Sequence, residues 1–232
     1  MDADAVRPSP RLAQLFTAPV IALEASPGGT AGSADALHPQ EAQHVARAAP
    51  KRIAEFAAGR ACARAALAQL GVSDFPLRVG ADREPLWPPG ITGSITHAHG
   101  FCAAVVARSS ALRSLGIDAE RAGAVRHPLW QHIAGPAERE WLEGLAHEDA
   151  LAMGTLVFSA KEAFFKCQHP LTREWVHFGD VRVRVEPPLF EIEPLRSLRL
   201  EGLQPPPWRG RFASAPGLLL TGIGIGPGVF EL

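Results

Sequence analysis

Asp118 and Glu120 stand two residues apart in Gly116-Ile117-Asp118-Ala119-Glu120, at the end of an apolar-alternating run over 111–117. That run reads as the end of a strand, and side chains two apart on a strand leave the same face. Two carboxylates that close repel unless a cation lies between them, and oxygen ligands of this kind suit a hard cation such as Mg²⁺. About forty residues on comes Phe158-Ser159-Ala160-Lys161-Glu162-Ala163-Phe164-Phe165-Lys166, helical by pattern. Glu162 and Lys166 share one helix face at i,i+4. A third carboxylate beside a lysine is what a metal-bound phosphate anhydride needs nearby. The plainer alternative is a surface Asp/Glu pair and an ordinary helical ion pair, since such pairs are common on solvated helices.

A second cluster is basic. Residues 51–70 read as a long helix ended by Gly71. Wound at about 100° per residue, Ile53, Phe56, Ala57 and Leu67 form its apolar stripe, and Arg60 and Arg64 fall near the centre of that stripe. An inward arginine needs a partner, because an unpaired buried charge is costly. The two candidates are an internal ion pair with an Asp or Glu and an anion pocket. Arg52, two turns before Arg60, could reach a second anionic group.

These residues sit within a coarse order of elements. Residues 1–10 read as a loose end, 20–24 as a strand and 25–36 as a loop. A helix starts near Pro39. After the long helix, 75–80 reads as a strand and 82–90 as a Pro-rich loop with Arg83 and Trp87. Residues 93–98 and 101–107 form a hairpin around His99-Gly100. Helices follow at 128–134, 136–145 and 149–168, with Pro170 ending the last. Strands 181–185, 189–192, 211–213 and 218–225 complete the chain. Gly222-x-Gly224-x-Gly226 is no dinucleotide fingerprint, because no helix follows it. His97 and His99 alternate onto one face, but no third soft ligand sits at useful spacing for a metal.

Composition bounds the options. With 232 residues the chain can bury a sizeable core, as one domain or two small halves. Hydrophobic residues at 47% and charged residues at 20% are ordinary for a soluble globular protein. A net charge of −1 calls for neither nucleic acid nor an acidic membrane surface, so any anion site is a local cluster. Cys62, Cys102 and Cys167 are odd in number and lack C-x-x-C spacing, which fits a reducing compartment. No apolar run reaches a membrane span, and the acidic N-terminal residues lack a signal-peptide core, so a cytoplasmic location is expected.

Taken together, Gly-Ile-Asp-x-Glu and Lys-Glu-Ala-x-x-Lys resemble the 4'-phosphopantetheinyl transferase superfamily. Gly93-Ser94-Ile95-Thr96-His97 and Arg83-Glu84-Pro85-x-Trp87-Pro88 resemble its enterobactin synthetase component D-like, Sfp-type branch. The resemblance runs over about 52–185. It implies an α/β (α+β) fold of two pseudo-twofold-related halves, here 1–115 and 116–232, with the active site in the cleft between them. It implies transfer of the phosphopantetheine arm of coenzyme A to a serine of an apo acyl or peptidyl carrier protein, releasing adenosine 3',5'-bisphosphate. Nonribosomal peptide, polyketide, siderophore and fatty-acid carriers are all open, and a monomer is the default.

The resemblance also assigns roles. Asp118, Glu120 and Glu162 would hold Mg²⁺, and Glu162 would also act as base toward the serine. Lys166 and His97 would hold pyrophosphate oxygens, with Ser94 and Thr96 beside His97. Arg52 and Arg60 would meet coenzyme A phosphates, and Arg83 would border its nucleotide end. Lys161, one residue round from Glu162, is expected to face solvent. A metal-dependent hydrolase of a phosphate anhydride and a non-catalytic carrier-protein binder are the competing classes. The presence of all three acids speaks against a dead site.

Overall fold

The computed structural model describes residues 5–200 and 207–227. The chain opens with β1 (Arg7–Pro8), α1 (Pro10–Ala13) and β2 (Ile21–Ala25). Part of the expected loose end is therefore a strand, with Arg7 paired to Glu24 in register and by a 2.9 Å ion pair. Then follow α2 (Pro39–Ala42), α3 (Pro50–Gln69), β3 (Ile91–Ala98), β4 (Phe101–Arg108) and β5 (Ser114–Arg121). The remainder is α4 (His127–Ile133), α5 (Pro136–Glu143), α6 (His147–Thr172), β6 (Val181–Glu186), β7 (Leu189–Pro194), β8 (Trp208–Ala215) and β9 (Leu218–Ile225). Helices α2 to α5 each carry proline in the first two positions, where an absent N–H leaves no helical bond unmade.

The strands form two antiparallel sheets, ordered β1-β2-β4-β3 and β5-β9-β8-β7-β6. Helix α3 packs its alanine-rich face, Ala58, Cys62, Ala63 and Ala66, on Leu23, Ala104 and Val106 of the first sheet. Helix α6 packs Val157, Ala160 and Phe164 on Val183, Phe190 and Ile192 of the second. A third cluster joins the sheets, with Ala103 and Val105 meeting Leu115, Ile117 and Leu220. This mixed α/β architecture agrees with the fold class expected from the sequence.

Two contacts fix the geometry of the acidic motif. At Gly116 helix α6 crosses β5 so closely that a Cβ would stand 1.9 Å from the Ala163 carbonyl oxygen. Ser114 Oγ, 2.6 Å from the Cys167 carbonyl, donates to it and ties the same crossing. Glycine is needed at 116 because the helix backbone occupies the space of a side chain. The result sets Asp118 and the Glu162–Lys166 face side by side.

Two further expected elements differ. Residues 75–80 are not a strand apart from an isolated Val79–Pro85 bridge. Side chains satisfy that backbone instead: Leu77 N–H donates to Glu41, its carbonyl accepts from Arg60, and Val79 N–H donates to His44. Pro170 does not end α6, which continues to Thr172 and is capped by Arg173 in the left-handed region at φ 56°. The hairpin of β3 and β4 turns at His99-Gly100 as expected, and because His99, at φ 23°, lies beyond the end of β3, it does not continue the strand alternation from His97.

Candidate active site

Edge strands β3 and β5 lie side by side, joined by side chains. Ile117 N–H donates to Ser94 Oγ at 3.1 Å and Ala119 N–H to Thr96 Oγ1 at 3.0 Å. Along this junction runs a cleft of about 1220 Å³. Arg52, Arg60, Arg83, Ser94, Thr96, His97, Asp118, Glu120, Glu162 and Lys166 all line it, although they come from five separate stretches of sequence. Ser94 and Thr96 are buried and serve here as acceptors that fasten the two sheets.

At the acidic end, Asp118 is buried and accepts three hydrogen bonds. Its Oδ1 accepts from Lys166 Nζ at 2.7 Å and Thr96 Oγ1 at 3.3 Å, and its Oδ2 accepts from Ser159 Oγ at 2.9 Å. Lys166 also donates to the Ile117 carbonyl at 3.1 Å. Burial pushes Glu120 up to about 7, and the charges of Asp118 and Glu162 push the same way against Lys166. Glu162 is raised as well, by burial and by Asp118, with Lys166 opposing. Three carboxyls thus share one ammonium, and a further cation here would favour their ionised forms. Hard carboxylate oxygens with an unmet demand for positive charge fit Mg²⁺ in kind. In the present arrangement, no three His, Cys, Asp or Glu among the described residues are grouped to hold a metal ion together.

The basic end separates the two inward arginines. Arg64 pairs with the fully buried Glu41 and donates to the Ala36 carbonyl, so it is the internal ion pair. Arg60 donates Nε to the Leu77 carbonyl at 2.9 Å and lays its guanidinium over the Phe56 ring, 4.3 Å from the centroid. Burial lowers its pKa to about 10, with Glu41 opposing and Arg52 and Arg64 adding to the fall. Arg52 Nη1 is 2.9 Å from His97 Nε2. Arginine can only donate, so Nε2 accepts and the ring is held unprotonated there. Burial, with Arg52 and Lys166 nearby, lowers the His97 pKa against the pull of Glu55 and Asp118. Arg83 lines the cleft from a turn in which its own φ is 68°.

One cleft thus holds the carboxyls of Asp118, Glu120 and Glu162 together with a group of cations. Comparison with known proteins accounts for this pairing. Residues 40–107 match the 4'-phosphopantetheinyl transferase N-terminal domain, and 114–196 match the 4'-phosphopantetheinyl transferase superfamily model. The 4'-phosphopantetheinyl transferase Svp of Streptomyces mobaraensis is 42% identical over 198 residues, covering 82% of this chain and 78% of that protein. PptT of Mycobacterium tuberculosis is 39% identical over 197 residues, 80% and 84% of the two chains. The chain belongs to the 4'-phosphopantetheinyl transferase superfamily. Enterobactin synthase component D of Escherichia coli is 39% identical over 131 residues, 56% of this chain and 59% of its own. As a 4'-phosphopantetheinyl transferase, the enzyme uses coenzyme A as substrate.

Sequence reasoning misplaced one residue of this transferase and overlooked two. Lys161 does not face solvent: it is buried, and Nζ donates to Glu138 at 2.7 Å, the Ile133 carbonyl at 2.8 Å and the Phe178 carbonyl at 2.9 Å. Glu138 in turn accepts from the Gly135 and Val183 N–H groups at 2.7 and 2.8 Å. The pair pins α6 to α5 and β6 beside Glu162. Burial still lowers the Lys161 pKa, with Glu138 pulling it back up. Ser159, one helical turn before Glu162, was the other omission. Its spacing from Glu162 at i,i+3 was the available signal.

Proposed function

We propose that the cleft binds coenzyme A with its pyrophosphate at the Asp118–Lys166 end and its nucleotide phosphate toward Arg52, Arg60 and Arg83. The observation that carries this reading is the charge layout: Asp118, Glu120, Glu162 and Lys166 line the same cavity as Arg52, Arg60 and Arg83. A donor with a pyrophosphate and a second, separate phosphate matches that layout. The division into halves 1–115 and 116–232, with the cleft between them, belongs to the same reading.

Asp118, Glu120 and Glu162 would hold Mg²⁺. Bound there, the ion would supply Lewis-acid neutralisation of the pyrophosphate and of the leaving oxygen. The chain's own groups do the rest. Lys166 and His97 bind pyrophosphate oxygens. Glu162, whose buried carboxyl holds a proton more readily than an exposed one, accepts the proton of the incoming serine, directly or through water. The serine oxygen attacks the β-phosphorus, and the bond from that phosphorus to the bridging oxygen breaks. The phosphopantetheine arm stays on the carrier serine, and adenosine 3',5'-bisphosphate leaves with the bridging oxygen. Most of the rate enhancement comes from positioning and charge stabilisation, as in other phosphoryl transfers. A cytoplasmic, monomeric enzyme acting on acyl or peptidyl carriers is part of the proposal. The three cysteines, free and buried, support a reducing compartment. Among the described residues, no helix is long and apolar enough to cross a membrane.

The test is mass spectrometry of an apo carrier protein after incubation with the enzyme, coenzyme A and Mg²⁺. The carrier should gain one phosphopantetheine. Release of phosphopantetheine into solution with the carrier unmodified would favour a hydrolase, and no turnover of coenzyme A would favour a binder.

A further inference from the structure

The loop that carries Arg83 is held from across the cleft. Glu84 Oε2 accepts the Asp82 N–H at 3.0 Å, which closes the turn around Arg83. Its Oε1 accepts from Arg173 Nη1 at 3.0 Å, a contact between residues 89 apart in sequence. Asp82 Oδ2 lies 3.4 Å from His169 Nε2, one turn earlier on α6. Gly80 makes room for this arrangement, since a Cβ there would stand 2.4 Å from the Glu84 carboxyl carbon. Both neighbours of Arg83 therefore grip the last turn of the helix that bears Glu162 and Lys166.

Backbone conformation points the same way. Arg83 has φ 68° and Arg173 φ 56°, a left-handed region that non-glycine residues enter at a cost. Such strain persists only where surrounding contacts over-determine it, and it gathers at ligand-binding sites. Arg173 takes its conformation as the cap of α6, its N–H donating to the His169 carbonyl, whereas Arg83 sits in a turn closed by Gly80 and Glu84 backbone bonds and held by the two contacts to α6.

We propose that Arg173 is a positioning residue: through Glu84 it fixes the turn that presents Arg83 to the cleft, and so sets affinity for the nucleotide end of coenzyme A. This rests on the assignment of Arg83 to that end. Arg173 also lines the cleft, so direct contact with the ligand is the competing account.

The probes are adenosine 3',5'-bisphosphate and 4'-phosphopantetheine, bound calorimetrically to the wild type, Arg83→Ala, Arg173→Ala and the double variant. Arg83→Ala should weaken the bisphosphate about tenfold, as loss of a charge-assisted contact does. Arg173→Ala should weaken it about fivefold, the upper range for an exposed ion pair. The double variant should bind no more weakly than Arg83→Ala, because Arg173 acts through Arg83. Phosphopantetheine affinity should not move, and in turnover the KM for coenzyme A should rise while kcat at saturation holds. Additive losses in the double variant would make Arg173 a direct ligand contact and overturn the positioning role. Unchanged bisphosphate affinity in Arg173→Ala, with Arg83→Ala weakened, would overturn the latch and leave the Arg83 assignment standing. Unchanged affinity in Arg83→Ala would overturn both.

Discussion

Lys166 Nζ stands 2.7 Å from Asp118 Oδ1, joining the Lys-Glu-Ala helix to the Gly-Ile-Asp strand across 48 residues of sequence. It is the ammonium that Asp118, Glu120 and Glu162 have in common. Lys166→Ala should leave the acids mutually repelling, so the metal-free variant should melt lower than the wild type at neutral pH. Added Mg²⁺ should raise its melting temperature more than it raises that of the wild type. Turnover should stay low and the coenzyme A requirement high, since the lysine binds charge present before and during transfer. Equal Mg²⁺ responses in the two proteins would place the metal away from this cluster.

Glu120 gives a pH dependence with a definite sign. Its folded pKa of about 7 lies above the ordinary 4.5, so between those values the folded state keeps a proton that the unfolded state has released. The stability from this protonated group is complete below the ordinary value and is lost as pH rises through about 7. Metal-free protein should therefore lose melting temperature, relative to Glu120→Gln, between about pH 5 and about pH 8. Mg²⁺ should reduce that difference, because it favours the ionised carboxylates. A wild type and variant that run parallel across the range would show that Glu120 is not strained by its neighbours.

Arg60 and Arg64 lie one helical turn apart and should behave oppositely. Arg64→Ala leaves the buried Glu41 without its cation, which costs about 3–5 kcal/mol by analogy with broken buried pairs, while coenzyme A binding should change little. Arg60 has a carbonyl and a ring as partners, so Arg60→Ala should destabilise less. It should weaken coenzyme A by about 1.5–3 kcal/mol, with Arg60→Lys restoring only part because the planar fork is lost. Denaturant titration beside calorimetry separates the two; matching profiles for both variants would contradict the split.

Lys161 tests the scaffold behind Glu162. Lys161→Met should cost about 3–5 kcal/mol, because it strands the Glu138 carboxylate in the core. Adding Glu138→Gln should recover part of that, since the amide oxygen can still accept an N–H. Urea midpoints of the single and double variants check this. A single variant as stable as the wild type would show the pair to be dispensable.

What could be read from the sequence was local. The α6 face of Glu162 and Lys166 follows from helix spacing, and the common face of Asp118 and Glu120 from strand spacing. The inward arginines were visible as charges on an apolar stripe, but their separate fates were not, because Glu41 and Leu77 come from other segments. The same reason hid Lys161: its partner lies 23 residues back, and nothing in Ala160-Lys161-Glu162 marks a buried lysine. Residues 75–80 have strand composition, yet their N–H and C=O groups meet side chains of Glu41, His44 and Arg60. Periodicity registers side-chain pattern and carries no information on who satisfies a backbone. The cleft itself, a junction between two edge strands joined by Ser94 and Thr96 hydroxyls, is a tertiary relationship with no local signature.

Glu162 allows its two proposed roles to be told apart. Its carboxyl is raised by burial and by Asp118, which makes it a better base near neutrality and also a group that gains from a nearby cation. Glu162→Gln keeps the size and one acceptor oxygen but removes charge and basicity. As a ligand chiefly, its loss should be offset in part by excess Mg²⁺, because the remaining acids Asp118 and Glu120 can still be saturated. As a base chiefly, Mg²⁺ should not help, while higher pH should restore some turnover by ionising the serine or its water. The expected outcome is partial rescue by Mg²⁺ with a smaller gain at high pH, so that ligation leads and proton transfer follows. The measurement is turnover over a Mg²⁺ series and a pH series, with folding checked by circular dichroism. Wild-type rates in the folded variant throughout would reduce Glu162 and Lys166 to an ordinary helical ion pair and remove the acidic cluster from the chemistry.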